Sequence, residues 1–217
     1  MRAPWLYVSV TILLGFLLEP VGAAKGQRRG RRPPKQQPID KIPALNGKWF
    51  LISVASKCQY LQENNFRVES TTMTLSSPSS RTSPLLVDTL RKLNQQCLNI
   101  RQEYQQTGSS GRFVLKGHST DINIVVAETD YNSYAILYYQ KQDQITMKLY
   151  GRSTQLPDSI MDKFEQLAEK QNIKIDNVYP FPKYGFCMTA DKQLQLGKQL
   201  SSGVTLVQFT VLFWWSL

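Results

Sequence analysis

The chain has 217 residues, a formal net charge of +10, 41% hydrophobic residues, 3 cysteines and 1 histidine. That length allows one main domain with a full core, and a lone histidine excludes a histidine-rich metal site. The charge is uneven: residues 1–23 sum to zero, residues 24–41 carry +6, and +4 remains for everything after them, so the main domain is not a basic nucleic-acid surface.

In chain order, Met1 and Arg2 precede an apolar run from Trp5 to Leu18, and Val21, Gly22, Ala23 and Ala24 are small or compact residues. This pattern predicts a signal peptide over residues 1–23, because the run falls short of the about 20 residues that a spanning helix needs. Residues 24–41 hold Arg28, Arg29, Arg31, Arg32 and the adjacent Pro33 and Pro34. They predict a basic, Pro-rich disordered arm, whose charge suits anionic lipid or acidic partners.

Residues 42–191 read as one all-β domain. Phe50 to Val54, Val68 to Leu75, Arg112 to Lys116, Ile122 to Thr129, Tyr134 to Gln140 and Ile145 to Tyr150 are rich in β-branched and aromatic residues, which predicts strands. Ile122, Ile124 and Val126 share one face of their strand, and Ile145, Met147 and Leu149 share one face of theirs. The polar breaks at 108–111, 117–121 and 142–144 are of hairpin length, and closing such a meander into a barrel removes its exposed edges. After Leu156-Pro157-Asp158-Ser159, the residues Ile160, Phe164, Leu167 and Ala168 recur at helical spacing, predicting one amphipathic helix on the barrel wall. Asn177 to Phe181 returns to strand-like sequence. Residues 192–217 form an atypical tail, apolar from Gly203 and ending near Trp214 and Trp215; three readings stay open for it, an atypical terminus, an interaction tail and a lipid-anchor signal.

Gly47-Lys48-Trp49 opens the first strand, Thr129-Asp130-Tyr131 joins two later strands, and Arg152 ends the strand before the helix. In this order and with the helix behind them, these residues resemble the three signature regions of the lipocalin family. The resemblance implies an eight-stranded antiparallel up-and-down barrel with one C-terminal helix on its wall. Gly47, Trp49, Thr129, Asp130, Tyr131 and Arg152 are then structural: Trp49 closes the floor and Arg152 lays its guanidinium over the indole. By the same resemblance, Ala135, Leu137, Tyr139 and Tyr150 line a calyx that takes a small hydrophobic ligand.

Catalysis has little support in the residues. His118, the single histidine, sits in a polar turn, and no serine or cysteine has a visible base beside it. The cysteines lack zinc-type spacing. Enzymatic lipocalins carry a cysteine on the second strand, whereas Val68 to Leu75 contain none. The expectation is therefore no enzyme activity, no metal, no cofactor and no nucleic-acid partner.

The motifs Cys58 to Glu63, Ala127 to Tyr131, Lys148 to Tyr150 with Arg152 and Ser153, and Phe181 to Cys187 are similar to a branch of the lipocalins that serves in plasma. That similarity implies a secreted subunit of a multichain complement complex. It also implies an intrachain bridge between Cys97 and Cys187, although the residues alone leave pairings with Cys58 open. An odd cysteine in an oxidising compartment is buried, capped or joined to another chain. Cys58 follows the first strand, before the polar stretch Gln59 to Asn65, read as a loop at the barrel's open end. The resemblance implies an interchain disulfide from Cys58 to the alpha chain of that complex, and through it links to the beta chain and the membrane attack complex.

Overall fold

The computed structural model describes residues 41–77, 83–108, 111–117 and 120–195. The signal segment, nearly all of the basic arm, His118 and the apolar tail from residue 203 lie outside the described residues.

Eight strands follow one another as an antiparallel meander: β1 (Gly47–Ser56), β2 (Thr71–Ser76), β3 (Leu85–Leu93), β4 (Gln96–Gln106), β5 (Arg112–Leu115), β6 (Ile122–Thr129), β7 (Tyr134–Lys141) and β8 (Gln144–Gly151). Each pairs with the next, and β8 pairs back onto β1, so the sheet closes. Closure leaves the barrel strands with few free edges. Two short strands outside the meander fill remaining gaps. β9 (Val178–Pro180) pairs with Ser53 to Ala55 of β1, beyond Phe50, where the pairing of β1 with β2 stops. β10 (Lys192–Gln195) runs parallel to Leu98 to Arg101 of β4, so the sheet continues past Asp191. The predicted strand starting at Val68 begins instead at Thr71, after a 3-10 turn at Asn65–Arg67.

Two apolar layers hold the barrel, one inside and one outside. Inside lie Trp49, Leu51, Val54, Met73, Val87, Ile122, Ile124, Val126, Leu137 and Tyr139, among others. Outside, Ile52, Ala55, Ile136, Tyr138, Ile145, Met147 and Leu149 meet Phe164 and Ala168 of the helix. A bulge in β1 between Leu51 and Ser53 explains why Leu51 and Val54, three residues apart, both face inward: the extra residue resets the period-two alternation.

Among the described residues, two α-helices decorate the barrel. α2 (Asp158–Lys170) buries Phe164 and Ala168, at the spacing that puts both on one face. Its Lys163 reaches Glu128 of β6 at 2.6 Å, and Tyr134 donates to the same carboxylate at 2.6 Å, so the helix is fixed to the wall by polar as well as apolar contacts. α1 (Gln59–Asn64) occupies the stretch that the sequence presents as a polar loop. Gln59 donates to Glu63 at 2.7 Å, Asn64 donates to the carbonyl of Tyr60, and Leu61 turns into the interior layer. A turn of good helix formers with one apolar residue can therefore fold back over the barrel.

Candidate functional site

The two ends of the barrel differ in chemistry. At the floor, a 3-10 turn at Ile42–Leu45 crosses the end of the barrel, and the fully buried Trp49 donates from Nε1 to the carbonyl of Leu45 at 2.8 Å. The Arg152 guanidinium carbon lies 3.7 Å from the indole centroid. Its nitrogens donate to the carbonyls of Ala44, Asn46 and Lys48 at 2.8–3.2 Å, so the cation is both stacked and hydrogen-bonded. Gly47 has φ +99°, and a Cβ there would sit 3.1 Å from the Arg152 guanidinium; both the backbone conformation and the close approach call for glycine.

The Thr129-Asp130-Tyr131 turn stands next to this floor, since the Arg152 backbone N–H donates to the carbonyl of Ser133 at 2.8 Å. Thr129 donates to the carbonyl of Tyr134 and accepts from the N–H of Tyr131. Asp130 accepts the N–H groups of Asn132, Ser133 and Tyr134 and the hydroxyl of Ser133. Those bonds hold the Asp130 carboxyl below its ordinary range against a burial effect that opposes them. Tyr131 takes φ +66°.

Toward the other end, β1 finishes at Ser56 and the chain enters α1 through Cys58. The Cys58 backbone N–H donates to the Ser56 hydroxyl at 3.2 Å, and that hydroxyl pairs with Thr146 at 2.9 Å. Cys58 is half-buried, is not in a disulfide, and packs against the interior layer. It borders a cavity of about 40 Å³ whose walls include Leu51, Val54, Leu61, Arg91, Lys148 and Tyr150. Cys97 and Cys187 are bonded, with their Cα atoms 5.7 Å apart. Beside them the Cys97 N–H donates to the Asp191 carboxylate and the Asp191 N–H donates to the Cys97 carbonyl, both at 2.7 Å. The bridge thus ties the chain beyond α2 to β4 where β10 begins.

Of the four residues expected to line a calyx, Tyr150 borders this cavity, while Ala135, Leu137 and Tyr139 belong to the packed interior. Tyr104 and Tyr139 hydroxyls are 3.4 Å apart, and Tyr139 in turn bonds to Tyr150. Burial raises all three phenols, Tyr104 to about 12.

Sequence reasoning missed the polar lining: Arg91, Lys148, Thr71, Thr89 and Thr146 all face the cavity. Arg91 and Lys148 are 4% and 7% exposed. Burial, together with the nearby charge of Arg91, lowers Lys148 to about 7. The available signal was the alternation of Thr146, Lys148 and Tyr150 against Ile145, Met147 and Leu149. Once the apolar set is covered by α2, the polar set has to face inward.

Among the described residues, no group of His, Cys, Asp and Glu could hold a metal ion, and no helix is long and apolar enough to cross a membrane.

Residues 46–184 match the sequence model of the Lipocalin / cytosolic fatty-acid binding protein family. The chain is 40% identical over 189 residues to the rabbit (Oryctolagus cuniculus) protein called complement component C8 gamma chain, covering 83% of this chain and 92% of the relative. It is 30% identical over 160 residues to Protein AMBP of mouse (Mus musculus), covering 70% of this chain but 45% of that longer protein. A solved structure described as the siderocalin Ex-FABP superposes with a TM-score of 0.58 at 22% identity, covering 65% of this chain and 96% of that one; at that identity the likeness shows the fold alone. Barrel, floor geometry and sequence match agree, and the chain belongs to the lipocalin family.

Proposed function

We propose that this lipocalin is a secreted, non-enzymatic subunit of complement component eight, joined through Cys58 to the alpha chain and through it to the beta chain and the membrane attack complex. The observation that carries the reading is Cys58 itself. It is the half-buried thiol left over when Cys97 and Cys187 pair, and it stands at the entrance to α1, beside the cavity. Similarity over 92% of the rabbit C8 gamma chain supports the same assignment. A free thiol in an oxidising compartment is buried, capped or joined to another chain, and this one is only partly buried. Plasma protein run without reductant is expected to show a heavier covalent species that collapses on reduction. Cys58→Ser should abolish that species while the Cys97–Cys187 peptide is still recovered. A secreted wild-type chain that circulates only as a monomer with alkylatable Cys58 would reject the reading.

A second reading, an extracellular carrier of a small hydrophobic ligand, draws support from the cavity inside the barrel. It predicts saturable binding of a retinoid or fatty acid by a chain that circulates alone.

A further inference from the structure

β4, with 11 residues, is the longest strand among the described residues, and its two edges are covered unequally. On one edge β3 pairs with it from Gln96 to Tyr104. On the other, β5 is four residues long and pairs only with Tyr104 to Gln106, before the chain turns into β6 beside the Lys116–Asp121 ion pair. The half of β4 nearest the Asn94–Gln95 turn is therefore left without a neighbour from the meander. Such an edge pairs readily with any extended chain. β10 fills the gap, Lys192 to Gln195 running parallel to Leu98 to Arg101.

β10 itself grips this edge weakly. Its one apolar residue, Leu194, packs with Leu93, Leu98 and Ile100 in a cluster separate from both layers of the barrel. Asn99, opposite Gln193 in the register, keeps a buried side-chain oxygen without a hydrogen-bond partner among the described residues, which disfavours the closed arrangement. The anchoring falls to what precedes β10. The Cys97 N–H donates to the Asp191 carboxylate and the Asp191 N–H donates to the Cys97 carbonyl, and just before them stands the Cys97–Cys187 bridge. Between bridge and Asp191, Met188, Thr189 and Ala190 are exposed, so little packing holds this short stretch as a hinge.

We propose that β10 is a strap, latched by the Cys97–Cys187 bridge over a strand-accepting edge of β4, and that a dithiol reductant opens it. Cys97 is half-buried whereas Cys187 is buried, so a thiolate of the reductant attacks the Cys97 sulfur and Cys187 leaves as a thiolate that takes up a proton. The second thiol of the reductant then displaces Cys97 from the mixed disulfide. Two electrons and two protons pass from the dithiol, which ends as a disulfide, to the chain, which ends with two thiols. Freed at Cys187, the strap lifts, and the edge from Cys97 to Arg101 becomes open to an added extended strand. Cys58 takes no part in the switch, so the assignment is independent of the tether.

Amide exchange read by NMR on the full-length chain tests it, in a Cys58→Ser background where this bridge is the sole redox group. Because the Cys97 N–H faces the strap, the alternation of the strand turns Asn99 and Arg101 the same way. Reduction with dithiothreitol, verified by alkylation of both Cys97 and Cys187, should lower protection of Asn99, Arg101 and Lys192 to Gln195 at least about 100-fold and leave β6, β7 and β8 unchanged. A synthetic peptide of residues 188–195 should then restore protection at Asn99 and Arg101 in the reduced chain, with no effect on the oxidised one. Asp191→Ala with the bridge intact should raise exchange at these positions less than about 10-fold, since the bridge is the latch. Unchanged exchange after reduction, loss of protection spread over the whole barrel, an effect of Asp191→Ala as large as that of reduction, or a freed edge that ignores the peptide would overturn the proposal.

Discussion

The floor and the cavity of this barrel each hold a cation against aromatic rings, and they treat it differently. At the floor, Arg152 stacks on Trp49 and gives its N–H groups to three backbone carbonyls at the protein's edge. In the cavity, Lys148 and Arg91 sit in the interior with hydroxyls and phenols and with no acidic wall. A cation that is stacked and multiply hydrogen-bonded serves the fold, whereas burial in the barrel pushes Lys148 toward its neutral form.

The largest break is expected at the floor. Trp49→Ala removes a fully buried indole together with its bond to Leu45, and should cost about 3–5 kcal/mol in urea unfolding, enough to impair secretion. A Trp49→Ala chain with native circular dichroism and an unchanged midpoint would show that the floor is not structural. Next comes the bridge that joins β4 to the segment after α2: Cys97→Ser with Cys187→Ser should cost about 2–4 kcal/mol. Because Asp191 and β10 continue the attachment, amide exchange should rise first at Lys192 to Gln195. Arg152→Lys keeps the charge but loses the planar fork that reaches three carbonyls. A loss of about 1–2 kcal/mol is expected in urea unfolding.

The same contrast explains what the sequence discloses. β6, β7, β8 and α2 are legible because apolar residues recur at the right period, and the Gly47, Trp49, Thr129 to Tyr131 and Arg152 set is legible because its spacing is distinctive. β3 and β4 are not. Their inward faces carry Thr89, Arg91 and Gln102 among Leu85, Val87, Leu98, Ile100 and Tyr104, so cavity chemistry erases the apolar alternation that marks a strand. Their connecting turn uses Asn94 and Gln95, at φ +48° and +66°, where glycine would have announced a hairpin. Alternation also fails to say which face is inside: Ile122, Ile124 and Val126 point inward, yet Ile145, Met147 and Leu149 point outward beneath α2. The cavity lining was hidden for that reason, and Lys148 read as part of a sequence motif when it is an interior cation.

The smallest expected effect is a slope, and it tests the cavity half of the comparison most directly. Lys148 is lowered from 10.5 to about 7 by burial and by Arg91, so between pH 7 and pH 10 the folded chain holds it neutral while the unfolded chain holds it protonated. Unfolding then takes up a proton, and stability rises with pH across that window. Below pH 7 both states are protonated and the contribution levels off; above pH 10 the buried phenols Tyr104, Tyr139 and Tyr150, raised in the fold, ionise on unfolding and reverse the trend. Arg91, lowered by burial to about 9, adds to the same slope only near and above that pH. Lys148→Met deletes this one proton, so the difference in stability between variant and parent should shrink as pH rises from 7.5 to 8.5, by at most about 1.4 kcal/mol. The variant should be the more stable at pH 7.5. Parallel stability curves for parent and variant between pH 7 and 10, measured by urea unfolding, would mean that Lys148 is charged in the fold without any ligand, and that the cavity shields its cation as fully as the floor does.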